Sequence, residues 1–155
     1  MIFLQVITIK RVNNMTYYEI ISNLKACALE EPNINFVGSK DIYELNSIPT
    51  IEYNVFYITP NTFNMDEDTI TYSLNLYFIA RWDETDNNQL EEQSAGILAL
   101  TNIINRFNNH YLEVDISYPL IFTPFYQKFK DICTGVFVRV DFAVDNTLGT
   151  CSDNM

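Results

Sequence analysis

The chain has 155 residues, of which nine are Lys or Arg and twenty are Asp or Glu, giving a formal charge of −11. Its length suits one domain of about 100–150 residues. Hydrophobic residues make up 48% and aromatics 14%, enough apolar material to offset the entropy of ordering the chain. The negative charge has the wrong sign for gripping phosphates by counterion release, which disfavours tight binding to nucleic acid or to an anionic membrane.

Cys27, Cys133 and Cys151 are odd in number, widely spaced and free of any C-x-x-C pattern, so neither a disulfide framework nor a zinc site is expected. A reducing compartment is the simpler expectation. The apolar stretch Ile2 to Ile9 has its basic residues, Lys10 and Arg11, behind it rather than in front, unlike a signal peptide. No run approaches the roughly 18 apolar residues of a membrane span.

The first helix is expected over about Thr16 to Leu29. Thr16-Tyr17-Tyr18-Glu19 has capping-box form, Ile20, Ile21, Leu24 and Ala28 share one face, and Pro32 ends the run. Residues 1–14 are either an edge strand or an upstream extension. A short apolar piece, Ile34 to Val37, follows, and then Ile51, Tyr53, Val55 and Tyr57 alternate as a strand does. Thr59 to Asp68 is rich in turn formers. Ile70, Tyr72, Leu74, Leu76 and Phe78 then alternate with polar residues, so the two runs predict a β-hairpin with one buried face.

Asp83-Glu84-Thr85-Asp86 offers an N-cap and favourable charge for a second helix over about Asn87 to Asn108. Its expected apolar stripe is Leu90, Ile97, Leu98, Thr101, Ile104 and Phe107, with Gly96 allowing close packing. Leu112, Val114, Ile116 and Tyr118 alternate next, Phe122 to Phe129 is extended around Pro124, and Val136, Val138, Val140, Phe142 and Val144 form a last strand. This order predicts an α+β domain over 15–145, with a single antiparallel or mixed sheet and two helices on one face. Residues 146–155 are expected to be a mobile tail.

Little in the sequence points to catalysis. His110, the one histidine, falls at a predicted helix end, where it suits the helix dipole better than acid–base chemistry. Cys133 has only Lys128 and Lys130 nearby in sequence to activate it. The acidic runs 66–68 and 83–86 lack the spaced ligands and central glycine of an EF-hand loop. The four glycines form neither a dinucleotide nor a phosphate-binding loop. No catalytic, cofactor-binding or metal-binding residue is therefore assigned. Tyr72, Tyr77, Phe78 and Phe142 suit a core, whereas Tyr17, Tyr18, Phe63, Phe125 and Tyr126 are less obviously inward and have the character of interface anchors. Leu148 and Cys151 are small enough for the tail to sit in a neighbour's groove.

The order of elements, with the run Phe122-Thr-Pro-Phe125-Tyr-Gln-Lys-Phe129-Lys-Asp131-Ile-Cys-Thr-Gly135, resembles small neck and tail proteins of tailed bacteriophages, the crAss-like type in particular, and the tail-terminator fold. The resemblance covers about residues 15–145 and leaves Met1 to Asn14 unmatched. It implies a non-catalytic virion protein, made in the host cytoplasm, that closes into a homo-oligomeric ring of roughly six or twelve copies. Neighbouring neck, tail or portal-proximal proteins would be its partners, with DNA passing through unbound and no membrane involved. Phe63, Phe125, Tyr126, Leu148 and Cys151 are the candidate subunit-interface residues on this reading. A soluble adaptor or ligand-binding module is the alternative, and a small carboxylate-dependent hydrolase a third.

Overall fold

The computed structural model describes residues 15–40, 44–45, 51–82, 87–128 and 132–146. The N-terminal segment 1–14 and the tail beyond 146, with Leu148 and Cys151, lie outside the described residues. In chain order the elements are α1 (Tyr17–Leu29), β1 (Phe36–Ser39), β2 (Val55–Met65), β3 (Thr69–Arg81), α2 (Gln89–His110), β4 (Asp115–Ile116), β5 (Phe122–Lys128) and β6 (Ile132–Asp145). The strands form one mixed sheet, ordered β1, β2, β3, β6, with β4 and β5 both pairing along the far side of β6. Only β1 and β2 run parallel; the other pairs are antiparallel. This is the expected α+β architecture.

The capping box of α1 is present in full: the Thr16 hydroxyl accepts from the Glu19 amide at 3.2 Å, and the Glu19 carboxylate accepts from the Thr16 amide at 2.8 Å. With its first turn so fixed, α1 buries Ile20, Leu24, Cys27 and Ala28. Both helices cover the face of the sheet made by Phe56, Ile58, Leu74, Leu76, Phe78, Val136, Val138, Val140 and Phe142. The alternation seen in β3 and β6 thus marks the main core.

Helix α2 departs from the expected stripe. Its buried residues are Gly96, Ala99, Leu100, Ile103, Ile104 and Phe107, whereas Leu90 and Leu98 are 76% and 62% exposed and Ile97 is exposed as well. The reason lies at Gly96. A Cβ there would come within 2.7 Å of the Phe78 ring and 3.0 Å of Val136, so the helix meets the sheet through its smallest residues and turns its N-terminal leucines outward.

Two other expectations are corrected. The turn-rich run from Thr59 is mostly strand: β2 continues to Met65, and the turn is confined to Asp66–Asp68, where Asp66 Oδ1 accepts from the Asp68 and Thr69 amides at 2.9 and 2.8 Å. Pairing with β3 overrides local turn preference there, and a register shift between Pro60 and Thr62 accommodates the proline at the edge. Downstream, the alternation over 112–118 yields only the two residues of β4, because the Val114 amide donates to the Tyr111 carbonyl in a turn.

The opposite face carries a smaller cluster: Leu45, Val55, Tyr57, Ile79 and Cys133, packed against Phe36, Ile51, Tyr53, Tyr77 and Phe125. The expected alternation from Ile51 to Tyr57 is real as a common side, although the strand itself begins at Val55.

Arg106 of α2 ties the helices together, pairing with Glu31 and, at 3.6 Å, with the exposed Glu30. Arg106 Nη2 lies 2.8 Å from Glu31 Oε2, and Nη1 donates to the Cys27 carbonyl at 2.9 Å. Glu31 is only 7% exposed, so removing Arg106 leaves its buried carboxylate charge without a cation, held by the Asn102 amide that donates to Oε1 at 3.3 Å. Arg106→Ala is expected to cost about 2 kcal/mol in urea unfolding, less than the roughly 3–5 kcal/mol of a fully buried pair, because Arg106 is 24% exposed and water screens it. Glu31→Gln with Arg106→Met should recover part of that loss.

Candidate interaction surfaces

The register shift in β2 decides which of its side chains face the helices. Before it, Phe56 and Ile58 do so; after it, Phe63 pairs with Tyr72 and joins the helix side. A bulge inserts one residue and so reverses the alternation, here bringing an odd-numbered residue onto that face. Phe63 there meets Tyr17 of α1 at 4.8 Å between ring centroids and Tyr72 at 5.5 Å, and Tyr17 and Tyr72 lie 5.6 Å apart. Around this triangle Phe63 is exposed, Tyr18 is 78% exposed and Met65 is 66% exposed. Burial pushes the Tyr17 phenol above its ordinary value, as desolvation by these rings requires. The adjoining turn carries three exposed carboxylates, Asp66, Glu67 and Asp68.

Further exposed apolar residues lie at the far side of the sheet. Tyr126 of β5 is exposed and stands edge-on to Trp82, with centroids 4.7 Å apart and planes at 88°. Tyr118 and Ile121, on the segment between β4 and β5, are exposed too. Phe125 points to the opposite face, where it packs edge-on to Tyr77 at 6.0 Å and is half-buried. It serves the smaller core cluster more than a free surface.

The sequence-predicted aromatics are therefore not one site. Phe63 aligns through Tyr72 with Phe142 of β6, whereas Phe125 aligns with Gly135. Seven residues of strand separate these positions, about 23 Å at the usual rise. They also belong to opposite edges of the sheet. Met65, Tyr118 and Ile121 were not singled out from the sequence: Met65 and Ile121 lie in segments with no clear period, and the alternation of Tyr118 with Ile116 suggested burial.

Between the two surfaces, on the face away from the helices, Ser73 donates to Asp141 Oδ1 at 2.6 Å, and Arg139 reaches both Ser73 at 3.3 Å and Asp141 at 3.4 Å. Arg139 and Asp141 also border a shallow groove along Ser117–Ile121. The trio is a satisfied cross-strand network, with no imidazole to take a proton from the serine. His110 ends α2 in solvent, at the helix terminus that favours positive charge.

Cys27 and Cys133 are buried thiols. Burial is the main cause that lifts the Cys27 thiol above its ordinary value, with Arg106 pulling it down and Glu30 raising it. The Cys133 thiol donates to the Tyr53 hydroxyl at 3.4 Å. Among the described residues, no group of three or more His, Cys, Asp and Glu side chains is placed to hold a metal ion, and no helix is long and apolar enough to cross a membrane. Compared with known proteins, the chain matches no protein-family model and no curated sequence.

Proposed function

We propose that the protein is a non-catalytic structural subunit that closes with copies of itself into a ring in the neck or tail of a phage particle, around the DNA channel. The observation that supports this reading best is that unlike sets of exposed apolar residues lie at opposite edges of one sheet: Tyr18, Phe63 and Met65 at one, and Tyr126, with Tyr118 and Ile121 about 17 Å further along, at the other. A rotationally repeated, head-to-tail contact needs two different patches on each subunit, whereas a twofold dimer needs only one that matches itself. Exposed aromatics and methionine are also the residue types that anchor protein interfaces. In such a ring the −11 charge would present DNA with a repelling wall within about 8 Å, so that it slides without adhering.

The test is assembly, read by mass photometry. Wild-type protein, alone or with its neighbouring tail proteins, is expected to form closed rings. Phe63→Asp and Tyr126→Asp should each give folded monomers, with melting lowered only by the lost ring contacts to Tyr17 and Tyr72 or to Trp82. Mixing the two variants should then give a one-to-one dimer and nothing larger, because each retains the patch that the other has lost. A wild type that stays monomeric under every condition overturns the proposal, as does a mixture that remains two monomers.

A further inference from the structure

A shallow groove of about 230 Å³ runs beside the segment that joins β4 to β5. Its lining is apolar at Tyr118, Leu120 and Ile121 and polar at Ser117, Arg139 and Asp141. Tyr118 and Ile121 are 58% and 75% exposed, so nothing in the described chain covers them. Pockets for small molecules usually measure about 300–1,000 Å³ and enclose most of what they bind. This groove is smaller and open, yet about 150 Å³ is enough to hold a benzene ring. It has room for one large side chain of another molecule.

The groove also holds a cation whose donors are only partly used. Arg139 Nε lies 3.4 Å from Asp141 Oδ1, and Nη2 donates to Ser73 Oγ at 3.3 Å, while Nη1 makes no hydrogen bond or ion pair among the described residues. A guanidinium carries five N–H donors in a fixed fork, so the remainder point to an acceptor from outside. The Arg139 side chain is 55% exposed against 36% for Asp141, which makes the outward charge positive. In a chain with twenty carboxylates and nine cations, an acidic segment is attracted here and repelled over much of the remaining surface.

The opposite edge of the sheet ends in such a segment. Met65, 66% exposed, closes β2 and leads into the turn Asp66–Asp68. Asp66 Oδ1 is occupied by the Asp68 and Thr69 amides, whereas Glu67 is exposed and has no hydrogen bond or ion pair among the described residues. Met65 and Glu67 are two residues apart, within about 7 Å of one another. An apolar anchor and a free carboxylate therefore arrive together. A methionine fills irregular gaps, and its sulfur is attracted to the edge of an aromatic ring such as that of Tyr118.

We infer that the groove is the receiving site of the head-to-tail contact, and that its occupant is the β2–β3 turn of a second copy, with Met65 between Tyr118 and Ile121 and Glu67 on the Arg139 guanidinium. The inference rests on the ring proposed above and names the residue pair that orients one copy on the next. A planar guanidinium takes a carboxylate in a narrow range of orientations. That constraint bears on the angle between neighbours, which decides whether a head-to-tail repeat closes or runs on as a filament.

Mass photometry of the full chain over a dilution series tests this. Glu67→Arg and Arg139→Glu are each expected to weaken assembly by roughly tenfold or more, and Met65→Ser by roughly tenfold. Glu67→Arg together with Arg139→Glu in one chain should return the affinity to within about threefold of wild type, a recovery that a purely structural role for Arg139 would not give. Glu67 touches nothing within its own subunit, so Glu67→Arg keeps the native melting temperature and the test stands even where Arg139→Glu unfolds the chain. Wild-type protein that never assembles sinks the ring and this contact with it. Wild-type rings that tolerate Glu67→Arg leave the ring standing and overturn the inference alone, as does a double variant no better than either single one. Variants that still close into rings but no longer join the neighbouring tail proteins assign the groove to one of those proteins, which overturns it too.

Discussion

Replacing Gly135 by alanine is expected to destabilise the protein by about 3 kcal/mol or more, one of the largest effects of any single methyl group in the chain. Gly135 is the fourth residue of β6, paired on one side with Ile79 of β3 and on the other with Phe125 of β5. A Cβ built there would collide with the Phe78 carbonyl oxygen and lie 2.9 Å from the Phe78 carbonyl carbon and 3.2 Å from the Phe125 ring. The first two atoms are backbone of a central strand. They cannot rotate away, so the β3–β6 ladder has to part locally. For a domain of this size the loss corresponds to a fall of about 10 °C in melting temperature. Gly38 supplies the comparison: the new Cβ would meet the Tyr57 ring at 2.5 Å, a side chain rather than backbone, although one held in the smaller core cluster. Gly38→Ala should cost about 1–2 kcal/mol, less than Gly135→Ala. Similar losses at the two positions would show that the clash at Gly135 relaxes easily.

The parts of the fold that were legible in the sequence are those fixed by local pattern. Thr16 and Glu19 announced the start of α1, and the strict alternation of β3 and β6 announced the two central strands, because burial of one face imposes a period of two. Long-range pairing was less legible. β1 is four residues of unremarkable composition that become a strand only by lying parallel to Val55–Ile58. The outer half of β2 looked like a loop because Pro60, Asn61 and Asn64 favour turns in isolation. Six antiparallel partners along β3, from Thr59↔Asn75 to Met65↔Ile70, outweigh that preference, and no local signal records them.

The candidate surfaces divide the same way. That Tyr18, Phe63 and Tyr126 are exposed could be anticipated from their position outside the alternating runs. Which face Phe63 occupies could not, since it depends on one bulged residue between Pro60 and Thr62. Phe125 and Tyr126 are neighbours in sequence and seemed a pair, yet a strand sends them to opposite faces: Phe125 to Tyr77 and Phe137, Tyr126 to Trp82.

The two apolar stripes of α2 can be told apart by mutation. Phe107 has no exposed surface; it stands edge-on to Phe142 at 5.2 Å and leans on Tyr111 at 4.9 Å, closing the core where the helix ends. Phe107→Ala removes a full ring from a region bounded by two aromatic neighbours that cannot both collapse into the space. The expected cost in urea unfolding is about 3–5 kcal/mol. Leu90 and Leu98 are as apolar as any core residue, and helical periodicity alone groups them with Phe107. Their side chains nevertheless point to solvent, because Gly96 and Ala99 carry the contact with the sheet. Leu90→Ala and Leu98→Ala should therefore change stability by no more than about 0.5 kcal/mol each. Losses of about 2 kcal/mol or more at either leucine, in a monomeric preparation, would mean that the helix is rotated about its axis from the orientation described, with Leu90 and Leu98 inside.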